Sequence, residues 1–158
     1  MNEIKIRKAA LTDLEQLLIF EQDLIKFERP FDPAIKPDPV NYYDLKAMLT
    51  VSYIEVAVAE INNKIIASGY ARIDKSKPFL KHGHHAYLGF MYVLPEYRGK
   101  GINKQIIDHL KNWAASQNIN EFRLEVYYGN ISAIKAYEKI GFSRYSLEMR
   151  FNLQDDKP

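Results

Sequence analysis

The sequence predicts an α/β fold, a mixed sheet sandwiched between helices, and three observations predict it. Before residue 95, short segments alternate apolar and polar residues with period two. Beyond Pro95 the apolar period becomes 3.6, and strands and helices then take turns. The chain is 158 residues and 18.4 kDa, the size of one domain on the usual scale of about 100–200 residues. A single domain over residues 1–158 is therefore expected, with a core at about 3–153 and no repeat, linker or second domain.

Taken in order, Ile4 and Ile6, flanked by Lys5 and Arg7, read as a short first strand with one buried face. Thr12-Asp13-Leu14-Glu15 has the spacing of a capping box, and Leu14, Leu17, Leu18, Leu24 and Ile25 form an apolar helical stripe ending at Arg29-Pro30. Pro30, Pro33, Pro37 and Pro39 make the next ten residues a stiff connection. Asp38-Pro39 reads as an N-cap and first-turn proline opening a second helix toward Met48. Ile54 to Ile61 and Lys64 to Ile73 read as two strands joined by a tight turn at Asn62-Asn63, because Asn tolerates positive φ. After a polar loop through His82-Gly83-His84-His85, Ala86 to Val93 reads as a central strand buried on both faces. Ile102, Ile106, Leu110, Trp113 and Ala114 share one face of a helix. Phe122, Leu124 and Val126 alternate as a strand, Ile131 to Ile140 is helical, and Phe142 to Leu153 reads as one bent or two short closing strands.

Composition excludes several function classes. With 47% hydrophobic, 27% charged and 13% aromatic residues, the chain is neither disordered nor collagen-like. Zero cysteine removes disulfides, thiolate zinc sites and cysteine nucleophiles, and suits a reducing cytoplasm. A net charge of +2 is too balanced for binding nucleic acid by bulk charge. The start Met-Asn-Glu-Ile-Lys-Ile-Arg has no charged-then-apolar leader. The longest apolar run, Ala86 to Leu94, is less than half the ~20 residues of a spanning helix. A soluble cytoplasmic protein with no membrane or nucleic-acid partner is the expectation.

The clearest chemical feature is the turn Arg98-Gly99-Lys100-Gly101-Ile102-Asn103 between the most apolar strand and an amphipathic helix. Two glycines one residue apart let the backbone turn tightly, and the helix start behind them favours an anion. Arg98, Lys100 and Lys104 add formal charge there. A plain helix start with surface lysines is one reading. A dinucleotide-binding G-x-G-x-x-G turn is another, but Lys104 stands at its third glycine and Glu121 starts the next strand rather than ending it. A Walker A loop is absent. A pyrophosphate loop for coenzyme A is the remaining reading, and a second constellation bears on it. Asn130, Ala133 and Tyr137 are spaced by three and four residues, so with Asn130 as the N-cap they lie along one helix face.

Together the two segments resemble the GNAT superfamily of acyl-CoA N-acyltransferases. The signature [QR]-x-x-G-x-[GA] is met by Arg98 and Gly101, and N-x-x-A-x-x-x-Y-x-x-x-G-F by Asn130, Ala133, Tyr137, Gly141 and Phe142. Asn103 departs from the first, standing where the family has Gly or Ala. The resemblance implies a GNAT-like, mostly antiparallel mixed sheet with helices on both faces, splayed between its central strands to admit acetyl-CoA. It implies cofactor contacts at Met91 and Val93 through backbone groups, at Arg98, Gly99, Lys100, Gly101, Asn103 and Lys104 around the pyrophosphate, and at Asn130, Ala133 and Tyr137. No metal is implied.

The implied reaction moves the acetyl group of acetyl-CoA to a primary amine of a small molecule by direct attack in a ternary complex. At pH 7 an alkyl amine of pKa near 10.4 is uncharged only at a cost of about 4.6 kcal/mol, so a base or water chain is needed. Glu125 is the first candidate base, on a strand leading to the cofactor helix and opposite in phase to Phe122, Leu124 and Val126. The central strand reads Leu88-Gly89-Phe90-Met91, without the glutamate many relatives carry there. Tyr137 is the implied acid for the departing thiolate. Glu21, Asp23, Glu28 and Asp32, interleaved with Phe20, Phe27 and Phe31, point to a cationic acceptor, against a solvated acidic helix as the plainer reading. His82, His84 and His85 read as a solvated loop rather than a metal site, and Lys135, Lys139 and Arg144 as a solvated helix face or a 3′-phosphate contact. A homodimer is a candidate assembly. The alternatives are an acetyltransferase for protein or peptide N-termini and a non-catalytic acyl-CoA sensor.

Overall fold

The computed structural model describes residues 3–155, so two residues at the start and three at the end of the expected domain span lie outside it. The chain divides into two compact units, Met1–Glu125 and Val126–Pro158.

The larger unit holds a five-stranded sheet in sequential order: β1 (Lys5–Lys8), β2 (Ile54–Ile61), β3 (Lys64–Lys75), β4 (His84–Val93) and β5 (Phe122–Leu124). The first three pairings are antiparallel and β4–β5 is parallel, the mostly antiparallel mixed sheet expected. Asn62 and Asn63 take φ of 49° and 61°, the double left-handed turn that suits a two-residue hairpin.

The two sheet faces differ in residue size. Val56, Val58 and Tyr70 face α1 (Leu14–Glu28) and the short α2 (Leu45–Met48), where Leu17, Phe20, Leu24 and Leu45 close the core. Fully burying a side chain of this size stabilises by about 1.5–3 kcal/mol. The opposite face is built from small residues: Ala57 pairs with Gly69 and Ala59 with Ala67. A Cβ on Gly69 would lie 2.7 Å from Ile106 Cγ2, so glycine lets α3 (Ile102–Ala115) approach the sheet closely. Glu55 on this face is buried and meets His109 Nε2 of α3 at 3.0 Å and Lys8 Nζ at 3.7 Å.

Several expectations need correction. The cap before α1 is not Thr12 with Glu15: Leu11–Asp13 is a 3₁₀ turn, and Asp13 Oδ2 accepts from Ala10 N–H at 2.7 Å. Asp13 also takes both Arg7 terminal nitrogens, at 2.7 and 3.0 Å, a partner 6 residues earlier that a local capping pattern does not show. Leu18 is exposed while Phe20 and Glu21 are fully buried, so the buried stripe is rotated from the leucine pattern. Asp38-Pro39 opens no helix; Asp44 caps α2, accepting from Ala47 N–H at 3.0 Å. β4 is fully buried only at Ala86, Leu88, Phe90 and Tyr92, with half-buried residues between.

The smaller unit contains α4 (Ile131–Ile140), with the bounds the sequence predicts. Asn130 Oδ1 accepts from Ala133 N–H at 3.2 Å, and Gly141 ends the helix at φ 113°. Phe142 to Leu153 forms no strand: Tyr145, Leu147, Met149, Phe151 and Leu153 keep the alternation of a strand but are exposed. Period-two alternation alone therefore does not specify a strand here. Among the described residues no helix is long and apolar enough to cross a membrane.

Candidate active site

β5 pairs with β4 only at Ala86, Tyr87 and Leu88. From Gly89 to Val93 the same side of β4 has no strand partner among the described residues. This opening coincides with a β-bulge. Between the pairs Tyr70↔Gly89 and Ser68↔Tyr92, β3 contributes Gly69 alone while β4 contributes Phe90 and Met91. Phe90 takes φ 55°, a left-handed conformation unusual for a bulky residue. It is held there because its ring is buried against Tyr43 at 5.2 Å, its carbonyl accepts from Ser68 Oγ at 3.1 Å, and its backbone meets the Tyr43 hydroxyl. Met91 faces α3, its sulfur lying where a Gly69 Cβ would project.

Past β4, a 3₁₀ turn at Pro95–Tyr97 leads into the glycine loop. Gly99 and Gly101 have φ of 74° and 75°, and nothing lies within 4 Å of a Cβ built on either. Glycine is required there by backbone conformation, not by crowding. Gly101 is the N-cap of α3 with no side-chain cap, which leaves the first-turn N–H groups of Ile102, Asn103 and Lys104 without an intrahelical acceptor. Asn103 is half-buried in that first turn. Arg98 ties the loop to the strand: its Nε donates to Val93 O at 2.9 Å, and its guanidinium lies 5.7 Å from the Phe27 ring and 5.8 Å from the Tyr92 ring. Lys100 lies 5.2 Å from the Tyr97 ring, and Lys104 pairs with Asp108 one helical turn on.

Beside the bulge stands a wall of tyrosines. Successive ring centroids of Tyr42, Tyr43, Tyr70 and Tyr87 are 5.8, 5.6 and 6.4 Å apart. Glu21 positions its first two members: the carboxylate is fully buried, and Oε1 accepts from Tyr42 N–H at 2.7 Å and Tyr43 N–H at 2.8 Å. Burial pushes the phenols of Tyr43, Tyr70 and Tyr87 up, so they stay neutral; Tyr70 is buried between the half-buried Tyr43 and Tyr87. Glu28 lies near Tyr42, and burial, opposed by Tyr42 and aided by the Asp32 charge, raises its carboxyl above the ordinary value. Glu125 is exposed just past β5, close enough to Tyr87 and Tyr70 for its charge to act on both phenols.

In the smaller unit, Asn130, Ala133 and Tyr137 lie along one face of α4, all half-buried. The Tyr137 ring meets Phe142 edge-on at 6.1 Å, and Phe142 N–H returns to Tyr137 O at 3.1 Å, so the Gly141 turn orients the phenol. Arg144 is bound to Glu138 at 2.7 Å, while Lys135 and Lys139 are exposed.

Other sequence candidates fall into place separately. Glu21 is a structural clamp rather than a solvated acid, and Asp23 accepts from the Tyr92 hydroxyl at 3.2 Å. His85 shares a hydrogen bond with Ser76 at 2.8 Å and is pushed down by burial, then by the Arg123 charge. Among the described residues no cluster of three or more His, Cys, Asp or Glu is placed to hold a metal ion. The tyrosine wall escapes sequence reading because its members come from a loop and two strands. Eleven tyrosines and the Tyr42-Tyr43 pair were its only signal.

The open strand edge, the glycine loop at a helix start and the capped α4 are the parts of an acyl-CoA N-acyltransferase fold. The model of the acetyltransferase (GNAT) family matches residues 21–142, and the chain belongs to that family. A thialysine N-epsilon-acetyltransferase from Mus musculus is 37% identical over 59 residues, 37% of this chain and 35% of the relative. The match thus spans about a third of that relative's length. An N-alpha-acetyltransferase from Sulfurisphaera tokodaii is 28% identical over 148 residues, 89% of this chain and 80% of its own. A predicted acetyltransferase from Clostridium acetobutylicum, solved with acetyl-CoA, superposes with a TM-score of 0.75 at 25% identity, covering 97% of this chain and 98% of that one.

Proposed function

We propose that the chain is a single acetyl-CoA-dependent N-acetyltransferase domain acting on a primary amine of a small molecule. The observation that carries this reading is the β4 edge, which beyond Leu88 has no β5 partner among the described residues and runs through a bulge into a glycine loop at the start of α3. The family match across residues 21–142 spans both units and supports one domain.

Acetyl-CoA would supply the activated acetyl group, and the residues present suit it. Gly99 and Gly101 expose the loop backbone, and the N–H groups of Ile102, Asn103 and Lys104 together with Lys100 and Lys104 would hold the pyrophosphate. Arg98 acts here chiefly by bracing the loop against Val93. Backbone groups of Met91 and Val93 would receive the pantetheine arm, and an N–H on this edge would stabilise negative charge developing on the thioester oxygen. Glu125, directly or through water, takes the proton that the amine sheds as its nitrogen bonds to the acetyl carbon. Tyr137 gives its proton to the sulfur as the C–S bond breaks, and Asn130 and Ala133 shape the same helix face for the cofactor.

Calorimetry with acetyl-CoA, followed by thiol release across a panel of amines, tests the reading. Binding with release of one thiol per acetylated amine is expected. Absence of acetyl-CoA binding overturns it, and binding without thiol release from any acceptor selects a sensor. Similarity to the N-alpha-acetyltransferase over 89% of the chain favours a second acceptor class, peptide N-termini, so short peptides belong in the panel. Preferential acetylation of those peptides would replace the small-molecule assignment.

A further inference from the structure

The tyrosine wall and its two carboxylates form a surface that the transfer chemistry alone does not require. Glu28, on α1, stands at the Tyr42 end and Glu125, after β5, at the Tyr87 end, with Tyr43 and Tyr70 between them. Among the described residues, several carboxylates have a cationic partner: Asp13 and Glu60 with Arg7, Asp74 with Arg72, Glu55 with His109 and Lys8. Among the described residues no lysine or arginine forms an ion pair with Glu28 or Glu125. The guanidinium nearest the wall, Arg72, lies 5.2 Å from the Tyr87 ring but is committed to Asp74 at 2.7 and 2.9 Å. Tyr70 itself is buried, and the half-buried Tyr42, Tyr43 and Tyr87 supply what the wall exposes; with a carboxylate that has no ion pair at each end they suit an extended cation, because aromatic rings attract ammonium groups and each carboxylate adds a charge-assisted hydrogen bond.

We propose that this wall is the acceptor-binding surface, and that it takes an alkylamine carrying a second ammonium group, with Glu28 holding the distal cation and Glu125 facing the reacting amine. The proposal rests on the acetyltransferase reading and names its substrate class. The wall borders the reactive strand edge because the Tyr43 hydroxyl and ring both engage Phe90, the residue before Met91. Glu21 is a positioning residue in this scheme, fixing Tyr42 and Tyr43 through their backbone N–H groups. Because the Glu28 carboxyl is raised by burial and by Asp32, its hold on the distal cation weakens at a higher pH than an ordinary glutamate would allow.

The test compares 1,5-diaminopentane and spermidine with pentylamine and 6-aminohexanoate, in the unaltered chain and in Glu28→Gln. The unaltered chain is expected to favour the diamines over pentylamine by about tenfold or more in kcat/KM, with 6-aminohexanoate poorest. Glu28→Gln should raise the diamine KM about tenfold, to the level of pentylamine, and remove its acid-side rise, a change read in acceptor KM and not in acetyl-CoA Kd. Equal ratios in the two proteins, or pentylamine preferred over both diamines, overturn the proposal. Calorimetric binding of 1,5-diaminopentane separates its failure from failure of the acetyltransferase reading. A diamine that binds the unaltered chain but not Glu28→Gln, without thiol release, leaves the cation site standing and removes the enzyme. Thiol release with equal diamine affinity in both proteins does the reverse.

Discussion

Gly89→Ala probes the join between the bulge and the tyrosine wall. A Cβ on Gly89 would stand 2.7 Å from Tyr70 Cε1, Cζ and Oη together, where ordinary contacts lie at about 3.5–4.0 Å. The ring must therefore move by roughly 1 Å. Tyr70 is only 3% exposed and is flanked by Tyr43 and Tyr87, so it cannot yield without displacing them. Overpacking of this kind costs about 1–3 kcal/mol. Gly89 has no positive φ, so alanine also restricts the unfolded chain and returns about 0.4–1 kcal/mol. The net expectation is a loss of about 1–2 kcal/mol, which in a domain of this size lowers Tm by roughly 2–8 °C. Thermal unfolding measures that loss. Acceptor KM should rise alongside it with acetyl-CoA affinity unchanged, since Tyr70 belongs to the wall and not to the glycine loop. An unchanged or raised Tm would refute the packing argument, and a rise confined to acetyl-CoA Kd would refute the division of labour between wall and loop.

Three further outcomes are expected. Tyr137→Phe should lower kcat by roughly 10²–10⁴-fold with little change in acetyl-CoA affinity, and unchanged turnover would remove the phenol as the acid. Asp13→Asn should destabilise by about 1–3 kcal/mol in thermal unfolding at neutral pH. Arg7 holds the Asp13 carboxyl below its ordinary 3.8, so its contribution is present above pH 3.8 and disappears as pH falls through the lowered value. The two proteins should therefore converge in stability in strong acid, and a constant difference down to pH 2 would contradict the assignment. Asn130→Ala removes the side-chain acceptor for Ala133 N–H and should cost about 1 kcal/mol, read as faster amide exchange in the first turn of α4.

The parts of this protein legible in its sequence are those whose cause is local. The hairpin at Asn62-Asn63, the amphipathic α3, and α4 with its Asn130 cap and Gly141 stop all follow from residue type and period. So do the family and the glycine loop, because Gly99 and Gly101 are required by their own backbone angles. Local patterns misled where a distant partner decided the outcome. Asp13 answers to Arg7 and Ala10 rather than to a helix cap of its own, and Phe142 to Leu153 keeps a strand's alternation without being a strand.

Tertiary structure alone decided where the chemistry could sit. The bulge exists because β4 carries one more residue than β3 across the same span, a mismatch that appears only when the strands pair. The exposed edge arises because β5 stops at Leu124, and the wall assembles because Glu21 draws a loop 21 residues away onto the face of Tyr70. Sequence periodicity states which face of an element is buried, whereas a site depends on which elements that burial brings side by side.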